Sequence, residues 1–239
     1  MTNTETRSPF RGRGFIAAAV VVGVIVLAAI IVLVTSLAGG GNEPGASPTR
    51  APSATPTSSP ADESVCGLKG FDTENTLTSA PENDWELVGT IAVPTDSDVA
   101  GPGTVSDGLR TCYSHTAEGA LFMAVNYLGM GTDATLYNRL FQLVAPGPGR
   151  DALAAQADSG PSTSSTRAQV AGYKISGYSP ETTTIDLALN YSSGQLVSLP
   201  MKLVWAENDW KLVLTDTGEL PIAPAPIENL GGYTPWSGA

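Results

Sequence analysis

One stretch constrains this chain more than any other. The run FIAAAVVVGVIVLAAIIVLV, from Phe15 to Val34, holds no charged or strongly polar side chain. At 1.5 Å per residue a helix of this length spans roughly 30 Å, the hydrocarbon thickness of a bilayer. Lipid offers no hydrogen bonds, so each backbone N–H and C=O must be satisfied within the segment, which favours helix despite the Val and Ile content. The sequence therefore predicts a transmembrane helix over residues 15–37, preceded by a short tail over 1–14. That tail carries Arg7, Arg11 and Arg13 against Glu5, whereas the first basic residue after the span is Arg50. The asymmetry places the N-terminus in the cytoplasm and the rest outside, in a single-pass plasma-membrane protein. A cleaved signal peptide is the rival reading, with Ser36-Leu37-Ala38 as a small-residue cleavage site. Its apolar region would be about 7–15 residues, shorter than this run.

Over residues 38–64 the composition shifts to Gly, Pro, Ser, Thr and Ala. Such a segment buries too little apolar surface to offset its ordering entropy, so a disordered, partly polyproline-like linker is expected, giving the following domain reach. The outer part, from Val65 onward, is long enough for one domain with its own core. It carries 8 Lys and Arg against 19 Asp and Glu, a net charge of −11. Binding to a phosphate backbone needs clustered Lys and Arg, so no direct nucleic-acid binding is expected. Partners with basic patches remain compatible with this charge.

Both cysteines, Cys66 and Cys112, fall in the outer part. In an extracytoplasmic setting an even pair without neighbouring His or Cys reads as a disulfide. A redox pair would be spaced C-x-x-C, which this pair is not.

Between the cysteines, Trp85 to Val93 alternates as a strand that Pro94 ends, and the run from Asp96 to Gly103 reads as loop. The acidic spacing there does not match a calcium loop. The tetrapeptide ENDW occurs at Glu82–Trp85 and again at Glu207–Trp210, where it joins two apolar runs as a hairpin turn would. Thr116 is a good N-cap with Glu118 in the first turn, and apolar residues at helical spacing lead to Gly129 as the stop. A second helix is expected at about Asp133–Val144 and a short third piece at Arg150–Ala157. After the break at Ser159–Ser165 come four strand patterns: 169–178, 182–191, 196–205 and 210–215. Connections this short demand antiparallel neighbours. The fold class is α+β, with two or three helices packed on a curved antiparallel sheet over residues 65–219.

The C-terminal segment 220–239 is Pro-rich, with Pro221, Pro224 and Pro226, and Gly231-Gly232 loosens it further. Yet it carries Ile222, Ile227, Leu230, Tyr233 and Trp236, more apolar surface than a solvated tail needs. It is predicted to lie back along the domain with Tyr233 and Trp236 as anchors. The alternative is an arm that keeps those two residues for a partner.

A search for chemistry yields restraint. His115 is the only histidine and, at a helix entry, is expected to be a surface or capping residue. No nucleophile elbow, phosphate loop, dinucleotide fingerprint or zinc ligand set is present in the sequence. Asp186 alternates with Thr184, Ala188 and Asn190 opposite the apolar set, so a solvated sheet face is expected. No catalytic, cofactor-binding or metal residue is assigned, and no cofactor is expected.

The pieces WELVGTIAVP, TAEGALFMAVNYL, QVAGYKISGYSP, VWAENDWKLVL and GGYTPWSGA carry a resemblance. The chain resembles actinobacterial single-pass membrane proteins of integrative and conjugative elements, with a nuclear-transport-factor-2-like, cystatin-like outer domain. The resemblance implies a cone-like fold and the layout of the bridging subunit of type IV secretion machines. It implies a non-enzymatic assembly or scaffold subunit whose partners are channel subunits or copies of itself. The alternative is an extracytoplasmic module that binds a small apolar ligand or peptide in the cone cavity. An enzyme in the same cone would need a buried Asp or His with a partner.

Overall fold

Gly89 breaks what the apolar pattern joined. The computed structural model describes residues 63–157 and 167–238, and all of these belong to one compact unit. In it the expected single strand is a hairpin, β1 (Asp84–Val88) and β2 (Ile91–Thr95), paired antiparallel. Gly89 turns the chain at φ +58°, and a Cβ there would meet the Gly129 carbonyl oxygen at 2.9 Å. A left-handed residue in a two-residue turn is the usual requirement for so tight a reversal. Pro94 lies within β2 rather than ending it, opposite Trp85. It is tolerated because, among the described residues, β2 pairs with no strand but β1. On the other edge of β2 the Gln169 amide stands in for a strand, accepting from Ala92 N at 3.1 Å and donating to Thr90 O at 2.8 Å.

A second hairpin, β3 (Thr104–Ser106) and β4 (Leu109–Thr111), follows the expected loop. Asp107 and Gly108, at φ +49° and +82°, form its turn. An Asp-Gly pair is a strong short-range hairpin signal.

Helix α1 spans Ala117–Gly131, two residues beyond the expected stop, with the Thr116 hydroxyl accepting from Gly119 N at 3.0 Å. Leu121, Phe122, Val125 and Met130 are all inaccessible, so this helix is core on most sides rather than amphipathic. The expected second helix is instead a 3-10 segment, Tyr137–Leu143. The chain must leave helical geometry at Val144, whose ψ of 144° lets it bridge to Leu212, and the tighter helix ends the segment within that limit. Helix α2, Pro148–Gln156, begins with the proline whose missing N–H costs nothing at that position.

The main sheet contains β5 (Ala168–Ser176), β6 (Thr182–Tyr191), β7 (Leu196–Ala206) and β8 (Asp209–Leu212) as an antiparallel meander. Glu207 and Asn208, both at φ +56°, turn β7 into β8. Its inner face presents Ile185, Leu187, Leu189, Met201 and Leu203 to the same core as Leu121, Phe122 and Val125 of α1. The result is an α+β domain of three helical segments and antiparallel sheets.

The C-terminal segment wraps this sheet. Strand β9 (Ala225–Ile227) pairs with the start of β7, and β10 (Thr234–Pro235) pairs with β5 on the far side of β6. Between them Tyr233 reaches Asp186 on the outer face of β6.

The expected tail 1–14, transmembrane helix 15–37, tract Ser159–Ser165 and all of the linker but Glu63 and Ser64 lie outside the described residues. Among the described residues no helix is long and apolar enough to cross a membrane.

Candidate functional site

Around β8 the polar groups face inward. Asp209 is buried and accepts from the backbone N–H groups of Cys112 (2.9 Å), Tyr113 (2.9 Å) and Trp210 (3.0 Å). Burial pushes its carboxyl above the ordinary aspartate value, against the opposing pull of Lys211 and those three donors. Cys112, at φ +67°, is bonded to Cys66 in a disulfide with a Cα separation of 5.9 Å. This carboxylate ties the β8 hairpin to the disulfide loop.

His115 is the first correction to the site reading. It is only 4% exposed, not a surface residue. Its ring stacks on Trp205 with centroids 3.7 Å apart, meets Trp210 and Phe71 edge-on, and bonds through Nε2 to the Pro180 carbonyl at 2.6 Å. Among the described residues no carboxylate bonds to its ring, and Nε2 is held by a backbone carbonyl instead.

Asp186 is the second correction. Alternation puts it on the outer face as expected, but it is 7% exposed because the C-terminal segment covers it. Ser198 and Tyr233 donate to its two oxygens at 2.7 and 2.8 Å, and Lys174 Nζ lies 3.2 Å away, over the Tyr233 ring. Burial pushes the Tyr233 phenol up, and the Asp186 carboxylate beside it acts in the same direction.

Trp236 fills a seat under the first hairpin. It is 7% exposed and packs against Trp85, Phe122 and Tyr173, with ring centroids 4.8, 5.9 and 5.6 Å away. Its Nε1 donates to Asn83 Oδ1 at 3.1 Å, and its backbone N to Ala171 O at 3.2 Å. The two tail residues singled out from the sequence thus touch two different faces of one domain. Their partners could not be read from the sequence, because Trp85, Phe122 and Asp186 come from three distant elements.

Sequence reasoning also missed a cleft. About 300 Å³ of space opens between α1, α2 and the β7–β8 end of the sheet, lined by Tyr127, Leu128, Leu153, Met201, Leu214 and Leu220 among others. Burial raises the Tyr127 phenol, its only titratable lining group, well above the ordinary value. A cleft of this size and character takes uncharged, apolar groups. Among the described residues no three His, Cys, Asp or Glu side chains gather as a metal site.

Fold and site together define an α+β domain of helices on antiparallel sheets, with buried aromatic seats and an apolar cleft. The chain belongs to the family described as Domain of unknown function (DUF8175), whose model matches residues 46–235. No curated protein and no solved structure matches it.

Proposed function

We propose that this chain is a membrane-anchored, non-enzymatic assembly or scaffold subunit, with its N-terminus in the cytoplasm and a cone-like domain outside. The observation that carries this reading is where apolar surface remains uncovered. Val65, Phe71, Leu87, Val99 and Val105 are the large exposed apolar residues between 65 and 105, and Ile222 is the other among the described residues. Leu87, 72% exposed, lies on β1, whose outer edge pairs with no strand among the described residues. Apolar side chains beside an open strand edge suit contact with another protein. The apolar run 15–34 supports anchoring, and the resemblance to proteins of conjugative elements supports channel subunits or further copies of the chain as partners.

Photo-crosslinking in intact cells tests this. A photoreactive residue at Leu87 is expected to give a discrete protein adduct. Leu87 that captures nothing, while a probe at Leu214 in the cleft does, overturns it. The cleft supports the second reading, a module for a small apolar ligand. An apolar dye bound by the domain and excluded by Met201→Trp is the result expected from that reading.

A further inference from the structure

The register of the first hairpin shows which backbone groups line the open edge of β1. Trp85 and Leu87 stand opposite Pro94 and Ala92. Both of those partners turn their backbone groups away from β1: Ala92 N donates to Gln169 Oε1 at 3.1 Å, and Pro94 O accepts from Asn126 Nδ2 at 3.0 Å. Residues directly opposite in an antiparallel pair either exchange hydrogen bonds or both face outward, so Trp85 and Leu87 face outward too. Two N–H and two C=O groups thus lie along the edge, and none has a partner among the described residues. The strand carries no proline, bulge or lysine of the kind that commonly blunts an edge.

Charge narrows what can pair there. From residue 70 to residue 109 the chain has eight Asp and Glu and no Lys or Arg. Alternation sends Asp84 and Glu86 to one face of β1 and Trp85 and Leu87 to the other. Glu86 meets the buried Arg110, yet its side chain stays 57% exposed. Asp84 is exposed and has no ion pair among the described residues. On the opposite face Leu87 is exposed, while Trp85 packs against Trp236. A second β1 laid antiparallel so as to bond both outward residues would set Glu86 opposite its own copy. Like charges directly opposite destabilise a strand pair, and opposite charges stabilise it.

We propose that the β1 edge takes up an extended segment of a partner protein in which Lys or Arg alternates with apolar residues. The segment adds as a further strand, bonding through its backbone to Trp85 and Leu87. Its basic side chains fall on the face of Asp84 and Glu86, and its apolar ones cover Leu87. The inference rests on the assembly reading and adds to it the partner's chemistry and its mode of docking. The same carboxylates turn away acidic strands and further copies of β1.

The test uses the full chain in neutral detergent and a fluorescent synthetic peptide in which lysine and valine alternate. Fluorescence polarisation should show saturable binding that weakens as salt is raised, and hydrogen exchange at the Trp85 and Leu87 amides should slow. Asp84→Lys should weaken binding about tenfold or more, whereas Asp216→Lys, the same charge change beyond β8, should leave it within about twofold. A peptide with glutamate in place of lysine should not bind, and neither should one N-methylated along its bonding edge. The proposal fails if the lysine–valine peptide does not bind. It fails equally if binding survives N-methylation or Asp84→Lys, which is general charge attraction only. Protection of the two amides that rises with the concentration of the chain alone would give the edge to a second copy and overturn it as well. A protein adduct at Leu87 in cells without peptide binding removes only this inference, whereas no adduct at all removes the assembly reading beneath it.

Discussion

The tetrapeptide Glu-Asn-Asp-Trp occurs twice, and its two copies live in opposite surroundings. At 207–210 the Asp and Trp are both buried, and Trp210 Nε1 donates to the Ser114 carbonyl at 3.1 Å. At 82–85 Asp84 is exposed and Trp85 only half-buried, at the start of an edge hairpin. The four residues are the same, so the difference is made by what each copy meets. Copy 207–210 is received by Cys112–His115, a loop already fastened by the disulfide. Copy 82–85 is covered by Trp236, whose indole bonds to Asn83 across 153 residues. A shared motif thus supplies an aromatic anchor in both places, and distant chain decides whether that anchor is interior.

The largest expected difference lies in the tryptophans. Trp210→Ala should cost about 3–5 kcal/mol in urea unfolding, the range for a large side chain deleted from a packed core. Trp85→Ala should cost clearly less. Equal losses would break the comparison.

The covalent fastening comes next. Cys112→Ser should lower stability by about 4 kcal/mol, the chain-entropy value for a loop closed across 46 residues, and Cys66→Ser should match it. The double variant should be little worse than either single one.

Third are the aspartates. Asp209→Ala strands three buried backbone donors and should cost about 2–3 kcal/mol, whereas Asp84→Ala should fall within about 0.5 kcal/mol of the parent.

The glutamates give the smallest effect and a pH signature. Glu207 is held below the ordinary carboxylate value by its hydrogen bond to Arg150, so its contribution is present at neutral pH and lost as pH falls through that lowered value. Near the other copy, Glu82, Asp96 and Glu118 line one pocket. Burial, then Asp96 and Asp72, raise Glu118. The folded domain therefore holds that proton more tightly than the unfolded chain, and stability falls as pH rises from the ordinary value through the raised one. Glu118→Gln should flatten that part of the profile and raise the Tm at pH 7 by about 1–2 °C.

Local signals were legible where local chemistry decides. The alternation of Ile185, Leu187 and Leu189 marked β6 at its true ends, Thr116 marked the start of α1, and Glu207-Asn208 marked the β7–β8 turn. The Asp107-Gly108 hairpin went unread, because its flanking strands are only three residues each and carry no clear alternation. What stayed hidden depends on distant chain. Pro94 is allowed in a strand because, among the described residues, β2 has no second strand partner, which the sequence cannot state locally. His115 and Asp186 look solvated by position, and both are buried by groups that arrive later, Trp205 and Trp210 in one case and Tyr233 in the other. The apolar cleft is likewise a product of α1, α2 and β7 meeting, not of any one segment.

The account stands on the C-terminal segment closing the 82–85 copy from within the same molecule. The most direct measurement is the melting temperature of the domain carrying Trp236→Ala, taken at two protein concentrations tenfold apart. Loss of this buried indole should lower the Tm by about 5–10 °C, by the same amount at both concentrations. A Tm that does not move would contradict the account and leave Trp236 as an arm for a partner. A deficit that changes with concentration would contradict it too, by placing the seat between molecules.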